Sequence, residues 1–199
     1  MNIYVDESGG VGRGVMTLAA LAMSGEAADD VIARFRAATG ITGEVKGSRI
    51  NPHERALLFD LLEAAQARAV VSVAISAVKA QPGENRGALD LHVYERLLAD
   101  AIGTLLPETG GCVAAMIDDG RYGPETLAQV RNAIAGQIGG WGTATLELSH
   151  RSSGLQIADV IANTFFTRAL PGDRQVRMDA LVAPWLESGR IKMRILPDF

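Results

Sequence analysis

The chain opens on a two-residue hydrophobic period. Asn2 to Glu7 and Val15 to Met23 read as short strands joined by Ser8-Gly9-Gly10-Val11-Gly12-Arg13-Gly14, a glycine-dense turn that makes them antiparallel neighbours. The period then lengthens. Glu26 to Ala38 carries Val31, Ile32 and Phe35 at helical spacing, and Gly40 stands where a helix stops. Thr42 to Arg49 is polar, bracketed by glycines and too irregular for a helix, so it reads as a loop or short extended segment. Asn51-Pro52 opens a second helix, with Asn as cap, Pro in the first turn, and Leu57, Leu58, Leu61 and Leu62 on one face.

Ala69 to Val78 alternates and is rich in Val and Ile, the mark of a third strand. Pro82-Gly83 reads as a turn, and Ala88 to Leu106 as a long amphipathic helix with Leu91, Leu97, Leu98, Ile102 and Leu105 inward. Cys112 to Asp118 predicts a fourth strand, buried on both faces and ending in Asp118-Asp119-Gly120. A helix from about Pro124 to Ile138 and a strand from about Thr143 to Leu148 follow. Ser153-Gly154-Leu155-Gln156 has the form of a Ser-x-x-Gln capping box opening a helix to about Arg168. The tail predicts a helix around Met178 to Leu186 and a strand at Ile191 to Leu196. With Glu26 to Gln66 set aside as a helical insertion between the second and third strands, this element order is that of an RNase H-like α/β fold: a mixed sheet of about five strands flanked by helices. No repeat, low-complexity tract or linker divides residues 1–199, so one domain is expected.

Composition narrows the function. A hydrophobic content of 48% over 199 residues suffices for a full core. The single cysteine, Cys112, has no internal disulfide partner and sits beside Val113, Ala114 and Ala115, which suggests a buried strand in a reducing cytoplasm. The start, Met1-Asn2-Ile3-Tyr4-Val5-Asp6, has no signal-peptide form, and Val15 to Met23, the longest apolar run, is too short to span a bilayer, so no membrane partner is expected. A net charge of −4 argues against holding nucleic acid by bulk electrostatics, although four metal-binding carboxylates would account for it.

Three acids stand out. Asp6 follows Ile3-Tyr4-Val5 and precedes a glycine turn, and Asp118 follows Val113 to Ile117 in the same way; in open α/β sheets ligands bind at such strand ends. Asp119 and Glu7, beside them, are reserves. Asp159 lies inside the apolar helical run Leu155 to Ala162, where an ionised carboxylate is costly unless it meets a cation, donors or solvent. The plainer readings are turn-capping aspartates at Asp6 and Asp118 and a satisfied structural aspartate at Asp159.

Asp6-Glu7-Ser8-Gly9, Glu44-Val45-Lys46-Gly47-Ser48, Ile117-Asp118 and Gly154-Leu155-Gln156-Ile157-Ala158-Asp159 occur in the order seen in domain of unknown function 3800, which this chain resembles over residues 2 to 166. The Leu-Gln-x-Ala-Asp segment is the most specific piece. The resemblance implies an RNase H-like fold, suspected nuclease activity, and an acidic quartet of Asp6, Glu44, Asp118 and Asp159 binding one or two Mg²⁺ or Mn²⁺ ions. Glu44 is a departure: the usual RNase H-like plan takes its second acid from the first long helix after the third strand, which here offers Asp90 and Glu95.

The chemistry suits the residue types, since hard oxygen ligands select Mg²⁺ or Mn²⁺, and two such ions can activate a water and stabilise the departing oxygen of a phosphoryl displacement. In that scheme Asp6 bridges the ions, Asp118 and Glu44 complete one, and Asp159 the other. Bases accompany each motif: Arg13, Lys46, Arg49, Arg121 and Arg151, which are expected to contact substrate phosphates or else to be solvated surface charges.

Rival readings are weaker. A haloacid-dehalogenase-type phosphatase needs an acid where Ser8 stands, Gly10-x-Gly12-x-Gly14 is not followed by a dinucleotide-binding helix, and His53, His92 and His150 are too scattered for zinc, although His150 beside Arg151 is a possible substrate contact. A catalytically silent nucleic-acid- or partner-binding module of the same fold is the main alternative to a nuclease cutting DNA or RNA.

Overall fold

The structure, a computed structural model, describes residues 1–75 and 86–197. One six-stranded sheet runs in the order β5-β4-β1-β2-β3-β6. Its strands are β1 (Asn2–Gly10), β2 (Val15–Met23), β3 (Arg68–Ile75), β4 (Val113–Asp118), β5 (Gly142–Glu147) and β6 (Ile191–Leu196). β1, β2 and β3 form an antiparallel front, while β4 lies parallel to β1, β5 parallel to β4, and β6 parallel to β3. The last residues of the expected third strand and the Pro82-Gly83 turn lie outside the described residues.

Helices cover the sheet in two groups. α1 (Gly25–Thr39), α2 (Pro52–Ala64), α5 (Ser153–Ala169) and α6 (Asp173–Glu187) enclose one core with Tyr4, Leu21 and Val71; α3 (Arg86–Leu105) and α4 (Pro124–Ile138) enclose the other with Ile3, Val5 and Ile117. Alternation along β1 from Ile3 to Ser8 therefore sends even positions toward α5 and odd positions toward α3, and the order reverses at Gly9 and Gly10. None of the helices among the described residues is long and apolar enough to cross a membrane.

Local chemistry sets the boundaries. Ser24 caps α1, and Asn51 and Glu54 form a full capping box at α2. β1 is longer than its pattern predicts because Gly9 and Gly10 continue the pairing as far as Val15. A Cβ on Gly9 would stand 2.3 Å from the Val15 carbonyl oxygen and 2.6 Å from the Phe166 ring, so glycine is what lets α5 sit this close to the hairpin.

Three expectations need correction. β4 is buried on one face only: Val113, Ala115 and Ile117 are enclosed, whereas Ala114, Met116 and Asp118 are partly open. Cys112 precedes the strand and is exposed. The cap of α5 is Ser152, whose hydroxyl accepts from Leu155 N at 3.3 Å, so Gln156 is not a capping-box partner. The sheet also has a sixth strand, and α6 starts at Asp173, earlier than its apolar face suggests.

Candidate metal centre

Parallel pairing of β1 with β4 ends at Val5 opposite Ile117, so Asp6 and Asp118 are the next residues on two adjacent strands. Side chains at matching parallel positions share a face. Tyr4 and Met116, two residues earlier, pack into the core beneath α5, which puts both aspartates on that face. α5 crosses directly over β1 because Gly154 has no side chain: a Cβ there would stand 2.4 Å from the Tyr4 ring. Its next turns carry Gln156 and Asp159.

The loop between α1 and α2 reaches the same place, and α5 holds it there. Gln156 Oε1 accepts from Val45 N at 3.0 Å and from Arg36 Nη2 at 3.2 Å, and its Nε2 donates to Ser149 O at 3.1 Å. Asp159 Oδ2 accepts from Gly47 N at 2.7 Å. Contact is close enough that a Cβ on Gly47 would stand 2.5 Å from Asn163 Cβ. From α2, the buried Arg55 donates to Gly47 O, Asn163 Oδ1, Val160 O and Thr164 Oγ1. Two motifs far apart in sequence, Glu44 to Ser48 and Gly154 to Asp159, are thus joined as one unit.

That unit delivers Glu44, whose Oε1 accepts from Ser149 Oγ at 2.6 Å and pairs with Lys46 Nζ at 3.2 Å. Asp118 Oδ1 accepts from Ser149 N and Oδ2 from Gly120 N, both at 3.1 Å. Asp6 Oδ1 accepts from Glu7 N at 2.7 Å. Asp6, Asp159 and Glu44 therefore each have one oxygen anchored by these bonds, whereas both Asp118 oxygens are engaged.

Electrostatics reflect the crowding. Burial, then the charges of Glu7, Asp159 and Asp118, push the Asp6 carboxyl well above the usual carboxylate range. Burial raises Asp118 too, outweighing the Gly120 N–H and Lys46. Asp159 is raised chiefly by burial, against the Gly47 N–H and Lys46, with Asp118 and Glu44 adding to the rise. Glu44 differs: burial pushes it up, but the Ser149 hydroxyl and Lys46 outweigh that, and it lies below its ordinary value. Lys46 is raised despite burial, through Glu44 first and then Asp159 and Asp6. Asp6, Asp118 and Asp159 thus lie within electrostatic reach of one another, and Glu44 within reach of Asp159, with the Lys46 ammonium beside them.

The donor set is all carboxylate oxygen, which suits Mg²⁺ or Mn²⁺ rather than a soft metal. Burial and mutual repulsion of Asp6, Asp118 and Asp159 favour a cation among them. Among the described residues, however, no three His, Cys, Asp or Glu side chains stand close enough together to hold an ion between them. The fit is one of donor type and of position at one sheet edge, not of ligand spacing.

The remaining expected residues divide. Arg121 is not open to substrate: it pairs with Asp90 at 2.6 Å and Glu7 at 3.4 Å, and donates to Gly9 O and Tyr122 Oη. The alternation of β1 is the cause, since Glu7 points away from Asp6 toward α3. Burial raises Glu7 to about 7 against the pull of Arg121. Asp90 is committed to Arg121, Tyr122 and Val11 N, and Glu95 is exposed on α3, so neither takes the place of Glu44. Asp119 donates its N–H to Glu147 O, and its Oδ1 is buried without a hydrogen-bond partner among the described residues. Arg13 lies over the Phe166 ring at 5.8 Å, and Arg13, Arg49, His150 and Arg151 are exposed. Sequence reasoning missed Gln156, Ser149 and Arg55 as positioning residues. The one signal was a polar side chain in an apolar helical run, present at Gln156 between Leu155 and Ile157.

No family model and no curated protein matches the sequence. Among solved structures, the fold is similar to the PCNA:RNase HII complex from Archaeoglobus fulgidus, with a TM-score of 0.53 and 17% identity, covering 96% of this chain and 89% of that one. The likeness agrees with the strand order and helix placement above: this chain has an RNase H-like fold.

Proposed function

We propose that this chain is a metal-dependent nuclease that hydrolyses phosphodiester bonds of DNA or RNA, with Asp6, Glu44, Asp118 and Asp159 as ligands for one or two Mg²⁺ or Mn²⁺ ions. The observation that carries this reading is Asp6: a carboxyl at the end of the central strand, on the same face as Asp118 and Asp159, whose pKa is raised first by burial and then by the charges of Glu7, Asp159 and Asp118. A structural aspartate gains nothing from such neighbours, whereas a cation site needs them. The similarity to RNase HII supports the reading at the level of fold, and the joining of the Glu44 and Asp159 motifs agrees with the resemblance to domain of unknown function 3800.

When bound, the metal would lower the pKa of a water and neutralise charge on the phosphoryl oxygens. The protein's part is orientation. Ser149 fixes Glu44 and Asp118 through its hydroxyl and its N–H, and Gly47 N–H fixes Asp159. Lys46 stands beside Glu44 as a positive charge for a phosphate oxygen.

A second reading, an RNase H-like binding module without turnover, is favoured by two observations. Lys46 already supplies a cation to the carboxylates, and their spacing does not enclose an ion. A panel of DNA, RNA and hybrid substrates with Mg²⁺, Mn²⁺ and EDTA separates the readings. Metal-dependent cleavage that EDTA abolishes is expected; binding without cleavage under any condition would establish the second.

A further inference from the structure

A groove begins beside Asp159. Gly47, whose N–H holds the Asp159 carboxylate, and Asn163, one turn further along α5, both line this groove of about 840 Å³. The groove passes Phe166 and Leu170 and reaches Arg174 and Arg177 in the first two turns of α6. Gly172, the N-cap of α6, has no side chain to cap it, so the first N–H groups of the helix add to the positive end. Asp173 is the one carboxylate on the lining. Arg174 and Arg177 are exposed and take part in no ion pair or side-chain hydrogen bond among the described residues, unlike Arg168 nearby, which pairs with Asp179. A chain of net charge −4 thus carries two uncommitted guanidinium groups in a concave surface whose near end, Gly47 and Asn163, lies beside Asp159.

The dimensions suit a polymer rather than a small ligand. From Asp159 to Ala169, its last residue, α5 rises about 15 Å at 1.5 Å per residue. At about 3.4 Å per phosphate along the axis of a stacked, helical strand, this is the length of about four to five nucleotides. We infer that the groove is the track for one strand of the nucleic acid on one side of the scissile bond, with Arg174 and Arg177 as phosphate contacts at its far end. This rests on the nuclease reading. The groove gives affinity and register without reading sequence, because its basic groups meet backbone phosphates.

The test pairs binding with cleavage. Labelled single-stranded oligonucleotides of increasing length are titrated against the parent and against Arg174→Glu combined with Arg177→Glu, over a range of salt, with cleavage of the same oligonucleotides followed in Mg²⁺ or Mn²⁺. The double variant is expected to weaken binding by about tenfold or more and to reduce the log Kd against log salt slope by about one and a half. The loss should shrink for oligonucleotides under about five nucleotides, which do not reach α6. Both side chains are exposed, so thermal melting controls for folding. If the parent cuts and the double variant matches it in affinity, slope and length dependence, the track is wrong while the nuclease reading stands. If the parent binds without cutting, the nuclease reading fails and the track is judged on binding alone: a loss in the double variant sustains it, and no loss overturns it. A parent that neither binds nor cuts overturns both.

Discussion

Asp159 separates a metal ligand from a structural aspartate more sharply than any other residue, because it has features of both. Its Oδ2 accepts the Gly47 N–H at 2.7 Å, a structural bond, while burial and the Asp118 and Glu44 charges raise its pKa. Asn at this position retains an oxygen for Gly47 and removes the charge; Ala removes both. With EDTA present, Asp159→Asn should therefore melt at or above the parent. Asp159→Ala should melt lower, since a buried N–H left unpaired costs about 1–3 kcal/mol. Metal adds the second comparison. At a hundred times its dissociation constant an ion stabilises the native state by about 2.7 kcal/mol. For a chain of this length 1 kcal/mol corresponds to about 2–4 °C, so the parent should gain roughly 5–11 °C in Mg²⁺ or Mn²⁺. Asp159→Asn should lose most of that gain. The assay is thermal melting of the three proteins with EDTA and with metal. An Asp159→Asn protein that melts lower than the parent in EDTA and keeps the full metal shift would refute the reasoning and leave Asp159 a structural residue.

Gln156→Ala removes the side chain that joins Val45 N, Arg36 and Ser149 O, and should cost about 2–4 kcal/mol in chemical denaturation while lowering cleavage through displacement of Glu44; unchanged stability would show that the loop is held by other contacts. Glu7 gives a pH signature. Its folded pKa of about 7 lies above the ordinary 4.5, so its contribution to stability is fully present below pH 4.5, declines between the two values and is lost above about 7. That difference is worth about 3 kcal/mol at 1.36 kcal/mol per pH unit. Glu7→Gln should flatten the fall in stability from pH 5 to 8, and a slope identical to the parent's would contradict the assignment.

Much of the fold followed from periodicity alone, because strands with one buried face and helices with an apolar stripe carry their geometry in the sequence. Asp6 and Asp118 were legible for that reason: each is the first acid after an apolar strand, and parallel pairing sets them side by side. The openness of β4 beneath α5 was not legible. Val113 to Ile117 is apolar throughout, and only the position of α5 over β1 decides that Ala114 and Met116 remain partly open. Ser152 and Ser153 are adjacent and equally able to cap, so the choice between them, and with it the role of Gln156, depended on backbone conformation. Arg121 was misleading for a different reason. Its partners Asp90 and Glu7 lie 31 and 114 residues away, and no local pattern announces an ion pair of that separation.

A metal-dependent nuclease centre at the acidic edge meets its most direct test at Asp6, the most buried of the four acids. Asn there keeps the shape and an acceptor for the Glu7 N–H and removes the charge. The measurement is the rate of Mg²⁺- or Mn²⁺-dependent cleavage by parent and Asp6→Asn on whichever nucleic acid the parent cuts, with melting curves to establish that both are folded. The account predicts a folded Asp6→Asn slowed by more than about a hundredfold. A folded Asp6→Asn that cuts as fast as the parent would contradict it.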